Sequence, residues 1–496
     1  MNTLAVELNT ILDESVAGRL LSSLGKRLYF PKGIIAQSAE AKKFAHRANA
    51  TIGMAYEGGR PLILSAIAEG MPTLSALEAV AYAPTAGVET VRSAWKESIC
   101  EKNPTLDPEG ISLPVVVPGL TGGISYIADL FLDETTDILI SDPSWDNYPL
   151  IFKDRRGSGV TEVPFFGKGP GLNLPAIREA IHRMAKTGKV RLILNFPNNP
   201  SGYSPTTAEA MELVNIIKEV AEKGADVLVI CDDAYFGLAY EPEIYGESLF
   251  GPLSKLHERV LAVKIDGPTK EDYVWGLRMG FVTFGCKGMK QETYEALVKK
   301  LMGAIRSSVS CSNTPAQYFM LKTMADPRSK EEKARFKSML QRRYQAVKQF
   351  LSSQGNHPVL QALPFNSGYF MCFVCTGVSA EEIRQKLLKE DGIGTIALGD
   401  RYLRFAFSSV EEQLIPETLS ALYRVASSLA QSKKRDKGFL GISIATINKR
   451  AIIPPGLSYL WSKRENDAPA ERKRAFQEEG RNEKAVSPSR EKRALP

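Results

Sequence analysis

Three short apolar runs, each closing on polar residues, restrict this chain more than any other feature: DILISD (137–142), VRLILNF (190–196) and DVLVICDD (226–233). Unbroken apolar runs of this length read as strands buried on both faces of a parallel sheet. Helical patterns lie between them. TAEAMELVNIIKEVAEKG (207–224) is one, closing on Gly224 as a helix C-cap would. Strand–helix alternation predicts a doubly wound α/β domain. Ligands of such domains sit beyond the carboxyl ends of the strands. The polar residues just past the runs are therefore candidates for a site: Asp142, Asn199, Asp232 and Asp233.

At ~100–200 residues per domain, 496 residues make two or three domains. The pattern changes near Pro327. SKEEKARFKSMLQRRYQAVKQFLSSQ (329–354) is a long amphipathic helix, followed by SGYFMCFVC, a helical SAEEIRQKLLKE and YLRFAFS. This predicts a large α/β domain over 56–327 and a smaller α+β domain over 328–432, with residues 1–55 packing on the smaller one. Residues 433–496 read as a basic, mostly disordered tail. The net charge of +7 belongs to that tail. From Lys433 onward 16 Lys and Arg stand against 8 Asp and Glu, leaving 47 against 48 in the body.

No run of 18 apolar residues predicts a membrane span. MNTLAVELNTILDESVAGRL carries acids and no compact apolar stretch, so it does not read as a secretory leader. Six cysteines are sparse, and Cys372 and Cys375 form a CxxC inside a strand-like run without a second pair. The four histidines are scattered. The expectation is a cytoplasmic protein with no metal, no membrane and no nucleic-acid partner.

Several polar motifs fall at strand ends. GLTGGIS (119–125) follows an extended LPVVVP and opens a helix, where free N–H groups bind anions such as phosphate; alone, a tight turn explains it as well. DPSWDNY (142–148) sets Trp145 beyond a strand end, placed either to stack on a flat ring or to pack at the rim. NFPNNPSGYSPT (195–206) offers the Asn199 amide. CDDAYFGL (231–238) sets Asp232 and Tyr235 three residues apart. A buried carboxylate there needs a cationic partner. Lys270 follows in IDGPTKEDYVWGLRMG, with Arg278 eight residues on. A phosphate nest, an aromatic, an amide, a carboxylate with a phenol, a lysine and an arginine are the groups that hold pyridoxal 5′-phosphate. Its aldehyde forms a Schiff base with a lysine amine.

The ordered set TGG, DPSWDNY, NNPSG, DDAYFG, TK with Arg eight residues later, SGYF and LRFAFS resembles the class I/II (fold-type I) pyridoxal-phosphate-dependent aminotransferases, aspartate and aromatic aminotransferases above all, over residues 30–430. The resemblance implies a mostly parallel seven-stranded sheet flanked by helices, plus the smaller α+β domain. It implies amino-group transfer from an L-amino acid to a 2-oxo acid by a ping-pong route. By resemblance, Thr121, Gly122 and Arg278 hold the phosphate and Trp145 stacks on the pyridine ring. Asn199 and Tyr235 bond the ring 3′-oxygen, and Asp232 pairs with the pyridine nitrogen. Lys270 is the Schiff-base lysine and then shuttles the proton, a role worth ~10²–10⁴-fold. Arg404 clamps the substrate α-carboxylate with its fork, with Arg401 as the nearby competitor. Gly53 approaches the same carboxylate. Tyr82 matches a tyrosine that reaches the neighbouring subunit's phosphate, which implies a homodimer with shared sites.

The chain also departs from that pattern. The residue three before the lysine, usually a hydroxyl that contacts the phosphate, is Gly267, so one contact is lost, with Thr269 placed to compensate. Arg306 in AIRSSVSCSNTPAQ matches an arginine that recognises a side-chain carboxylate, but the spacing to SNTPA is two residues longer than in aspartate-specific relatives. Two other readings stand beside transamination. One is a lyase or decarboxylase on the same fold. The other is an inactive cofactor-binding regulator acting through the basic tail.

Overall fold

The computed structural model describes residues 1–12, 21, 26–27, 33–51, 53–70 and 73–450, with backbone alone for 8, 11, 35, 70 and 434–450. Residues Met1–Ser432 form one compact unit and Lys433–Pro496 a second. The last helix is Ile415–Arg450, so helical backbone extends to Arg450 in the stretch expected to be disordered. The rest of that expectation, for 451–496, lies outside the described residues.

The larger sheet has seven strands: β1 (Val115–Val117), β2 (Asp137–Asp142), β3 (Gly159–Pro164), β4 (Lys189–Asn195), β5 (Asp226–Asp232), β6 (Val260–Asp266) and β7 (Gly280–Gly285). Their order across the sheet is β1-β7-β6-β5-β4-β2-β3. β7 runs antiparallel to both neighbours, and the other adjacent pairs are parallel. The three apolar runs of the sequence are β2, β4 and β5. Their lack of alternation has the expected cause, a core on each face. Leu228 and Ile230 of β5 enter one apolar cluster, while Val227, Val229 and Cys231 enter the other. Each such side chain contributes roughly 1.5–3 kcal/mol when fully buried. Connecting helices are capped by their own sequence: Thr206 and Glu209 form a reciprocal capping box at the start of Thr207–Glu222.

A second sheet is antiparallel: β8 (Leu360–Ala362), β9 (Met371–Cys375), β10 (Ile396–Leu398) and β11 (Tyr402–Phe405), in the order β8-β9-β11-β10. The 27-residue helix Arg328–Gln354 precedes it. Cys372 and Cys375 sit buried and unpaired in β9. The N-terminal segment packs here. Ala48–Asn49 pair with Ile393–Gly394, and the Gln37 amide bonds both the N–H (2.8 Å) and the C=O (2.9 Å) of Ala397.

Period-two alternation decides which strand-end groups share a site. Asp232 follows Ile230 on one face of the sheet. Asp233 continues the Cys231 face.

Candidate active site

A cavity with about 120 Å³ of free space lies beyond the carboxyl ends of β4 and β5, against the start of helix Leu120–Phe131. Thr121, Trp145, Asn199, Asp232, Tyr235, Lys270 and Arg278 all line it, together with Asn195 and Thr269. Gly122 follows Thr121 in the first turn of that helix, which begins at Leu120.

One end is built to hold an anion. The first N–H groups of helix Leu120–Phe131 have no acceptor within the helix. Gly119 turns the chain into that helix at φ 79°, and a Cβ there would lie 2.6 Å from Arg278 Nη2. Only glycine lets the guanidinium pass so close. Arg278 itself sits in left-handed backbone and donates from Nη1 to the Trp275 carbonyl at 3.1 Å. The departure at Gly267 has a packing cause. A Cβ on Gly267 would meet Gly280 Cα at 2.9 Å and the Met279 carbonyl at 3.0 Å. Thr269, the candidate to compensate, lines the cavity, and its Oγ1 donates to the Met279 carbonyl at 3.4 Å.

At the centre stand Asp232 and Lys270. The Asp232 carboxylate accepts the Tyr148 phenol O–H at 2.5 Å and the Ala234 N–H at 3.2 Å. Burial pushes its pKa up to about 6, against the opposing pull of the Tyr148 hydrogen bond and of Lys270. Burial pulls the Lys270 ammonium down to about 8; Asp232 resists the shift and Arg278 adds to it. The Lys270 Nζ lies 4.8 Å from the centroid of the Tyr235 ring. Burial likewise pushes the Tyr235 phenol well above its ordinary range. Trp145 stands edge-on to Tyr148, with ring centroids 5.5 Å apart.

The other end is built around Arg404 of β11. The buried guanidinium donates from Nη1 to Asn199 Oδ1 and from Nη2 to the Thr51 carbonyl, each at 3.0 Å. It lies 4.3 Å from the Phe370 ring centroid, and its Nε has no partner. Gly53 faces the same place: a Cβ there would lie 3.5 Å from Phe370 and 3.7 Å from the Tyr235 hydroxyl. Arg401, the competitor, points elsewhere and pairs with Asp142 at 3.2 Å. Asp142 therefore leaves the list of site candidates. Asp233 leaves it too, because on the opposite face it pairs with Lys264, which also lies 3.6 Å from Asp266.

Two candidates stay apart from the cavity of their own chain. Tyr82 is 91 % exposed. Arg306 is exposed at the end of helix Gln291–Arg306. Sequence reasoning missed Tyr148. Its signal was available in DPSWDNY, where it follows Trp145 by three residues; a turn closed by the Tyr148 N–H on the Trp145 carbonyl at 3.0 Å brings the two rings together. Asn195 was also missed; its amide donates to the Asp232 carbonyl at 2.9 Å and its side-chain oxygen accepts the Asn199 N–H at 2.8 Å.

These donors fit pyridoxal phosphate. Helix-start N–H groups and Arg278 suit a phosphate dianion. Asp232 is a buried carboxylate that no ion pair engages among the described residues, which suits a protonated ring nitrogen. The free Arg404 Nε leaves capacity for a carboxylate ligand.

Comparison with known proteins agrees. A family model described as aminotransferase class I and II matches residues 54–422. A probable aspartate/prephenate aminotransferase of Aquifex aeolicus is 27% identical over 348 residues, covering 67% of this chain and 80% of the relative. An aromatic-amino-acid aminotransferase of Thermococcus litoralis is 24% identical over 344 residues, covering 67% and 81%. Among solved structures, an aminotransferase from Anaerococcus prevotii superposes with a TM-score of 0.73 at 22% identity, over 83% of this chain and 99% of that one. A single mutant of Thermus thermophilus aspartate aminotransferase gives 0.66 at 20% identity, over 82% and 99%. At these identities the structural likeness speaks for the fold.

Proposed function

The chain belongs to the aminotransferase class I and II family and is a pyridoxal-phosphate-dependent transaminase, and from this premise we propose which of its residues carry the reaction. The observation that carries the assignment is the convergence of Lys270, Asp232 and Tyr235 on one cavity, with the Arg278 end and the Arg404 end on either side. When bound, the cofactor supplies an aldehyde that takes up the amino group and a ring that withdraws electrons from the substrate Cα.

The helix-start N–H groups of Thr121 and Gly122, with Arg278, bind the phosphate. Asp232 holds a proton on the ring nitrogen; with its pKa near 6 it is ionised at neutral pH. Asn199 and Tyr235 hold the ring 3′-oxygen, and Trp145 covers a ring face. Arg404 takes the α-carboxylate of the amino acid in its fork beside Gly53, which fixes where Cα lies. Lys270 would be the base that takes the proton from the substrate Cα and holds it for return. A pKa near 8 suits this work, because an amine titrating close to operating pH both gives and accepts a proton. Alternate runs of these steps with an amino acid and a 2-oxo acid make the route ping-pong.

A second copy of the chain completes the site in this reading. Arg278 is exposed in the single chain, so the phosphate end opens to solvent. Tyr82 and its neighbours Leu77 and Val80 are all highly exposed. A homodimer that places the second copy's Tyr82 on this phosphate explains both facts. Arg306 of the second copy is the candidate for a side-chain carboxylate. The six free cysteines support a reducing compartment, the cytoplasm.

The experiment is a visible absorption titration of the holoenzyme with single amino acids, Lys270→Ala alongside. Loss of the bound-aldehyde band with aspartate or aromatic amino acids, reversed by a 2-oxo acid, is expected for the wild type and absent from the variant. A Lys270→Ala protein that still cycles contradicts the assignment. Release of ammonia or carbon dioxide as the main product contradicts transamination.

A further inference from the structure

We propose that Tyr148 is a positioning residue that fixes the Asp232 carboxylate for the cofactor's ring nitrogen and ties it to the ring-covering Trp145. The proposal rests on the reading that Asp232 faces that nitrogen.

The phenol is held from several sides. Its O–H donates to Asp232 Oδ2 at 2.5 Å, and both residues are buried. Its ring stands edge-on to Trp145, at 82° and 5.5 Å, and nearly parallel to Phe152, at 16° and 5.8 Å. Its N–H bonds the Trp145 carbonyl at 3.0 Å. The hydroxyl therefore cannot swing away from Asp232 without disturbing the packing of Trp145. One side chain thus joins two cofactor-facing groups on different elements: Trp145 beyond β2 and Asp232 at the end of β5.

The chemistry of the donor matters as much as its place. A carboxylate has about four lone-pair positions. Tyr148 and the Ala234 N–H occupy two, leaving capacity for a third donor. A Lys or Arg in place of Tyr148 would cancel the charge that the ring nitrogen needs. A phenol orients the carboxylate and favours its ionised form without cancelling it. It also stays protonated, since burial and the adjacent carboxylate raise its pKa far above the working range. The other titratable groups acting on Asp232 are Lys270 and Tyr235 on the cavity side and Asp233 behind it.

The test is Tyr148→Phe in the full-length holoenzyme, which keeps the ring and removes the O–H. A hydrogen bond to a charged group is worth about tenfold or more in an equilibrium. The expected result is a cofactor dissociation constant raised about tenfold. The acidic limb of the kcat–pH profile should move up by about one pH unit, because Asp232 then holds its proton more tightly. KM for the amino acid should stay within about twofold, since Arg404 is untouched. Phe152→Leu, which loosens the packing and spares the hydrogen bond, should leave the acidic limb in place. Unchanged cofactor affinity and an unmoved limb in Tyr148→Phe would overturn the proposal, and so would an equal shift in Phe152→Leu. Asp232→Asn separates this from the underlying reading. If Asp232→Asn loses both cofactor affinity and kcat while Tyr148→Phe keeps both, only the role of Tyr148 fails. If Asp232→Asn keeps wild-type values, the placement of the ring nitrogen fails.

Discussion

Burial sets the chemistry of single residues here, and it has a cost in stability. Lys270 titrates near 8 in the folded chain, against 10.5 for an ordinary lysine. Between those values the unfolded state binds more protons than the native state, so stability rises with pH through that window. The penalty is fully present below about pH 8. Lys270→Met fills a similar volume without the charge. The cofactor-free variant should therefore be more stable than the cofactor-free wild type at pH 7, by about 1–2 kcal/mol, less than the full shift because cavity water reaches the ammonium. The gain should shrink toward zero as pH approaches 10.5. Urea unfolding at pH 7 and pH 10 reads it, and a less stable variant at pH 7 would show that the ammonium is stabilised by contacts the geometry does not reveal. Arg404 is a second case. It was told apart from Arg401 by place alone: one is buried between strands, the other paired with Asp142 at the surface. Their spacing in RYLRFAFS leaves the choice open, because a strand puts residues three apart on opposite faces whichever one is buried.

At the level of elements, alternation along β5 and β6 separates catalysis from support. Asp232 turns to the cavity, while Asp233, Lys264 and Asp266 form a buried ion cluster on the other face, with the Trp95 indole N–H donating to Asp266 at 3.1 Å. Lys264 is 1 % exposed. Lys264→Met would strand two carboxylates without their shared cation. It should destabilise the fold by about 3–5 kcal/mol in urea unfolding. A loss below about 1 kcal/mol would mean that the carboxylates are neutral in the native state. The sheet was legible because apolar runs without alternation have one common structural cause, burial on both faces. The carboxyl-end candidates were legible for a related reason, since strand ends are where such folds bind ligands. Asp142 and Asp233 show where this reading runs out. A strand end names several polar residues, and only the pleat and the neighbouring strands decide which of them share a cavity. Lys264 was illegible because its closest partner, Asp233, comes from the end of the adjacent strand; only Asp266, two residues on in the same strand, shares its face in the sequence. Gly267 read as a lost phosphate contact. Its cause is the close approach of β6 to β7, where Gly280 leaves no room for a side chain.

At the scale of the whole molecule, Arg278 and Tyr82 are both exposed in a single chain, and the proposed dimer joins them. Tyr82→Phe should weaken cofactor binding about tenfold while light scattering still reports a dimer. A fully active monomer would contradict the shared site. The central claim is narrower than the assembly: the cofactor is bonded to Lys270. Borohydride reduction of the holoenzyme, followed by peptide mass mapping, tests it most directly. The account predicts a pyridoxyl phosphate adduct on the peptide carrying Lys270 and on no other lysine. An adduct on Lys264 or another lysine, or no adduct on a protein that retains its visible band, would contradict it.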